Sequence, residues 1–162
     1  MFASVKLSPE AIPGLTLRPR SYVGKLFNEG RTMAGKSTAV KNGNELKRKV
    51  VEIGESLNLE AKTEFKVGRR IWGAVRNIDV VLTDPTTRQR IGLECKYQGT
   101  TGSAEEKVQS TLEDIGAWPI RGLVVIAGPG FSQNMRGYLI STGKVVDVED
   151  LKDWLTLFFG LP

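Results

Sequence analysis

A mixed α/β fold is predicted by three features of this 162-residue chain: an amphipathic helical repeat ahead of three strand-like runs, a second helical segment after them, and a short, wholly apolar strand behind that. Leu46, Val50, Ile53 and Leu57 recur at i, i+4, i+7 and i+11, which marks a helix from near Asn44 to about Asn58. Thr63 to Val67 alternates around Phe65 as a strand. Asn77 to Thr83 and Ile91 to Gln98 are two more, joined by Asp84-Pro85-Thr86-Thr87, whose proline presets a turn, so the pair reads as a β-hairpin. Ser103 with Glu106 three residues on is a capping-box signature, and Val108, Leu112 and Ile115 continue it as a helix. Leu123 to Ala127 suits a buried strand, and Gly128-Pro129-Gly130 stops it. A third helix is expected from near Ser132 to Ile140, a strand from Lys144 to Val148 and a last helix from Glu149 to Phe159. The order is αβββαβ followed by α, β and α, a central mixed sheet flanked by helices. Leu151, Trp154, Leu155, Phe158 and Phe159 share one face of the last helix, which reads first as core and second as a dimer interface.

Residues 1–40 carry Pro9, Pro13 and Gly14 with little periodicity and are expected to form an irregular arm, leaving 41–162 as a single domain. With 40% hydrophobic residues the chain can fill one core. Cys95 is the only cysteine, so an internal disulfide and a cysteine zinc site are both excluded, in keeping with a reducing cytoplasm. No run approaches the roughly 20 apolar residues of a membrane helix, and Met1 to Leu15 lacks the apolar segment of a signal peptide, so the expected location is cytoplasmic, with no membrane partner.

The chain has no histidine, which removes Ser-His-Asp and Cys-His catalysis and leaves carboxylates, lysine, tyrosine or a metal ion to do any chemistry. Its net charge of +5 is uneven: residues 1–76 hold 15 Lys/Arg against 7 Asp/Glu, and 77–162 hold 8 against 11. The basic half is a candidate grip for a polyanion, with a solvated basic surface as the alternative. Lys47, Arg48, Lys49, Lys66, Arg69, Arg70 and Arg76 are the candidate phosphate contacts. Gly30, Gly35, Lys36 and Ser37 fit the phosphate-cradling P-loop pattern, but Leu26 to Glu29 is a poor strand and Asn42-Gly43-Asn44 interrupts the helix the motif requires.

The hairpin carries the chemistry. If its loop is Pro85 to Arg88, Asp84 faces Gln89, and counting outward sets Asp79 opposite Glu94. Alternation then projects Glu94, Lys96 and Gln98 to one face and Leu93, Cys95 and Tyr97 to the other, with Asp79 opposed by Ile78, Val80 and Leu82. Two carboxylates one strand apart suit a hard divalent cation, and Lys96 is placed to orient a water or steady a phosphate. An ordinary cross-strand charge cluster is the alternative. Glu45, three residues after Asn42, also reads as part of a helix start.

Asp79, the Glu94-Cys95-Lys96 triplet and the element order resemble the PD-(D/E)XK nuclease superfamily, over roughly Asn44 to Val148. The resemblance implies a restriction-endonuclease-like fold and a Mg²⁺-dependent DNA endonuclease, with Mn²⁺ able to substitute. It also implies Asp79, Glu94 and the Cys95 carbonyl as metal ligands, Lys96 as the residue that positions the nucleophile, and Glu45 and Gln98 in support. A homodimer or higher oligomer would suit cutting of both strands. A non-catalytic DNA-binding module with the same fold and a nucleotide hydrolase using Lys36 are the rival readings.

Overall fold

A computed structural model describes residues 40–69, 73–100 and 104–162. All of the expected arm but Val40, the Gly30 to Ser37 pattern, Arg70 and the Ser103 cap lie outside those residues, and Val40 is buried in the core.

Helix α1 (Gly43–Ser56) begins where Asn42, with extended backbone, accepts a hydrogen bond on Oδ1 from the Glu45 N–H at 2.9 Å. It buries Leu46, Val50 and Gly54 and ends at Leu57, after which Asn58 takes a left-handed φ of 59°. A Cβ on Gly54 would stand 2.6 Å from Leu82 Cδ2, so the bare glycine lets α1 lie close against the sheet.

Strands β1 (Glu60–Arg69), β2 (Val75–Thr83) and β3 (Arg90–Tyr97) form an antiparallel meander, and β4 (Gly122–Ala127) and β5 (Val145–Asp147) extend it in parallel, in the order β1-β2-β3-β4-β5. The parallel steps are crossovers through helices α2 (Ala104–Gly116) and α3 (Gln133–Ser141), and α4 (Leu151–Phe159) closes the described chain. Every element thus appears in its expected place, β1 longer than read and α4 starting two residues later. No helix among the described residues is long and apolar enough to cross a membrane.

Each face of the sheet has its own core. Helices α1 and α4 pack with Val80, Leu82, Ile91, Leu93, Cys95 and Val125; helices α2 and α3 pack with Ile78, Val81, Val124 and Ile126. Alternate residues of β4 feed both clusters, which is why that strand is continuously apolar. On α4, Leu151, Leu155 and Phe159 are buried, and half-buried Trp154 stacks on Phe158 at 5.2 Å, so that face is mainly core.

The hairpin has the counted loop. The Asp84 N–H donates to the Gln89 carbonyl at 3.0 Å, and the register runs Thr83–Arg90, Leu82–Ile91, Val81–Gly92 and Val80–Leu93. Asp84 fixes the turn by accepting from the Thr86 N–H at 2.8 Å and the Thr87 hydroxyl at 2.6 Å. One expectation fails: Ile78 does not share a face with Val80 and Leu82 but joins the α2 side. The opposite strand makes the same switch, from Ala61 on the α1 side to Phe65 on the α2 side, and between them Glu64 has a left-handed φ of 51°. Strict alternation presumes regular backbone, and the backbone is irregular here.

Candidate active site

The irregular point on β1 and β2 is also where β2 and β3 part. With Asp84 bonded to Gln89, every second pair of the ladder exchanges hydrogen bonds, so a regular continuation would send the Cys95 N–H to the Ile78 carbonyl. It donates instead to Asp79 Oδ2, at 2.9 Å. The Asp79 side chain stands in the opening and replaces a backbone acceptor. In β3 it is the even-numbered residues that bond to β4, as the Gly92 N–H does to the Arg121 carbonyl, so the Cys95 carbonyl faces the same opening.

Lys47 reaches the opening from α1, its Nζ 2.8 Å from Asp79 Oδ1 and 2.6 Å from Glu64 Oε1. Burial acts to lower the pKa of this ammonium, and the bonds to Asp79 and Glu64 outweigh it, so the group is held above the usual lysine range and stays charged. Glu94 is mostly buried and accepts from Lys96 Nζ at 2.7 Å. Burial raises the Glu94 carboxyl above its ordinary range, the charges of Asp79 and Asp114 add to the rise, and Lys96 opposes it. Burial also pushes the Cys95 thiol up, with help from Asp79 and Glu94, so no thiolate nucleophile is on offer.

Two sets of contacts form here: Asp79 with Lys47, which also pairs with Glu64, and Glu94 with Lys96, with the Asp79 charge acting on Glu94. Glu45 joins neither. Two helical residues are about 200° apart around the axis, so with Lys47 turned to Asp79, Glu45 faces away, and its Oε2 accepts from the Lys41 N–H at 2.8 Å. That is the helix-start role. Gln98 donates from Nε2 to the Thr100 carbonyl at 2.6 Å, and its own carbonyl accepts from the Gly130 N–H at 2.8 Å, so it ties the end of β3 to the loop after β4. Cβ atoms on Gly128 and Gly130 would stand 2.3 Å from Gln98 O and 2.4 Å from Gln98 Cγ, so that loop closes on Gln98 only as glycine. Of the basic candidates, Arg76 pairs with Asp114 at 3.0 Å, Arg69 donates to the Gly73 carbonyl at 2.8 Å, Arg48 and Lys49 lie 3.7 Å from Glu52, and Lys66 is exposed.

Sequence reasoning missed Glu64 and saw Lys47 only as a phosphate contact. The signal was a count: β1 and β2 pair Thr63 with Val80 and Phe65 with Ile78, which brackets Glu64 and Asp79 together. Nothing in residues 68–74 fixes that register beforehand.

Among the described residues no three acidic, histidine or cysteine side chains converge as a complete metal cage. The donors nevertheless fit a magnesium-like ion, which takes one or two carboxylates and fills its shell with water and substrate oxygens. Asp79 and Glu94 supply two carboxylates, each already drawing a lysine ammonium. If Glu94 is held in a charged state that burial disfavours, Glu94→Gln should raise the melting temperature by about 2–4 °C near neutral pH without divalent ions, the effect of ~1 kcal/mol at this length. A raised folded pKa means the cost is present above that pKa and vanishes as acid protonates Glu94, so the gain should shrink on acidification. Thermal melts across pH check this; a gain that grows toward acid would contradict it.

A five-stranded mixed sheet flanked by four helices defines the class of α/β protein to which the described residues belong. The model of a PD-(D/E)XK nuclease superfamily domain matches residues 23–153, and the chain belongs to that superfamily. A crystal structure of a protein of unknown function, AF1548, is similar at 19% identity over 62% of this chain, with a TM-score of 0.43, and the chain spans 55% of that protein's length. No curated protein gives a significant match.

Proposed function

We propose that the chain is a divalent-cation-dependent deoxyribonuclease that hydrolyses phosphodiester bonds, with Mg²⁺ the natural ion. What supports this reading is the Asp79 carboxylate standing in the opening of the sheet at the Cys95 amide, next in sequence to Glu94, whose carboxylate pairs with the Lys96 ammonium. Asp79 and Glu94 would hold the ion, and the Cys95 carbonyl would supply a third oxygen. When bound, the ion neutralises phosphate charge and lowers the pKa of a coordinated water. Lys96 hydrogen-bonds the attacking water or a phosphate oxygen and fixes its line of approach. Exposed Lys66 and the basic residues of α1 meet the DNA backbone, which makes binding salt-dependent.

Purified protein should nick supercoiled plasmid or cut branched DNA in Mg²⁺, stop in chelator, and lose activity in Asp79→Asn. Equal cutting by wild type and variant would reject the site. Salt-sensitive DNA binding without any cation-dependent cutting would instead mark a DNA-binding module that keeps the fold.

A further inference from the structure

We propose that Lys47 is an exchangeable cation of the site: its ammonium occupies the Asp79 carboxylate while no metal is bound, and Glu64 takes it over when a divalent ion arrives. The inference rests on the proposed metal site and adds two residues to it, one from α1 and one from β1. Three observations support it. The Lys47 ammonium lies between two carboxylates at 2.8 Å and 2.6 Å, so it can leave Asp79 Oδ1 without losing its only counter-charge. Glu64 holds its place through a left-handed backbone, which costs a non-glycine residue on the order of 1 kcal/mol and persists where the surroundings impose it. The Asp79 side chain is largely buried and its other oxygen is committed to the Cys95 N–H, so a metal ion and Lys47 compete for Oδ1.

Lys47 thereby acts as a positioning residue. In the metal-free chain it holds the Asp79 carboxylate against repulsion from Glu94. In the loaded chain it is parked on Glu64, one side chain from the ion, where a phosphate oxygen of the substrate would find it.

The test is Mg²⁺ affinity, measured by calorimetry on the full chain without DNA and therefore independent of cleavage. Lys47→Met removes the competitor and is expected to tighten binding about three- to tenfold, the range of a half-buried ion pair of ~1 kcal/mol. Glu64→Gln removes the parking place and is expected to weaken binding by a similar factor. The double variant decides between exchange and simple charge: if Glu64 acts through Lys47, Glu64→Gln has no effect once Lys47 is methionine. Loss of affinity from Glu64→Gln in both backgrounds would overturn the exchange, as would unchanged or weaker binding in both Lys47→Met and Lys47→Gln with melting temperatures near wild type. Binding by wild type that Asp79→Asn abolishes keeps the metal site while those results judge Lys47. Absence of binding in wild type and in Lys47→Met would overturn site and exchange together.

Discussion

Arg136→Met is expected to cost about 3–5 kcal/mol of stability, the largest effect of any single substitution considered, because it leaves a buried carboxylate without its counter-charge. Arg136 and Asp147 form an ion pair between α3 and β5, with side chains 7% and 2% exposed. The same guanidinium donates to the Gly128 carbonyl and stands 5.5 Å over the Phe131 ring. Burial holds the Asp147 carboxyl above the usual carboxylate range even with Arg136 pulling it down, so burying the pair carries a desolvation cost. Removing both charges should therefore harm far less than removing one. Arg136→Met with Asp147→Leu is expected to recover most of the loss in urea unfolding; a single variant within about 1 kcal/mol of wild type would show that Asp147 relieves its charge by taking up a proton or water. The pair also matters for the site, since Gly128 opens the loop that closes on Gln98 at the end of β3.

Lys96→Met is expected to lower cleavage by about 10²–10⁴-fold, the span typical of removing a group that assists proton transfer or orients a nucleophile. Its fold should survive, because the Lys96 side chain is 34% exposed and the aliphatic stem is replaced in kind. The useful contrast is with binding. Glu94 loses its ammonium neighbour but keeps its carboxylate, so on the proposed site Mg²⁺ affinity should hold or rise while turnover collapses. Single-turnover cleavage at saturating Mg²⁺, read beside calorimetric affinity, separates the two; a fall in affinity matched by an equal fall in rate would make Lys96 structural.

The order and type of the elements were legible because each rests on local periodicity: Leu46 and Val50 on a helix, Leu123 to Ala127 on a strand buried from both sides. The hairpin register was legible too, because Asp84 and Pro85 fix a four-residue loop by chemistry confined to the turn. Legibility ended where geometry became non-local. Ile78 lies off its expected face together with its partner Phe65, next to the left-handed Glu64, a paired change that neither run encodes alone. The Lys47 to Asp79 contact depends on the seating of α1, which the missing side chain of Gly54 sets. Glu45 looked placed to serve the site by position alone, and the rotation of the helix about its axis takes it elsewhere.

The Cys95 amide captured by Asp79 bears on how this protein should be mutated. The carboxylate is both a charge and a plug, filling the seam where two strands come unzipped. Alanine there would withdraw both at once, stranding a main-chain donor at a typical cost of about 1–3 kcal/mol and letting the seam close or flood. Asparagine keeps an oxygen for the amide and gives up only the negative charge. Dead alanine protein would thus say little about chemistry, whereas dead but well-folded asparagine protein would say a great deal.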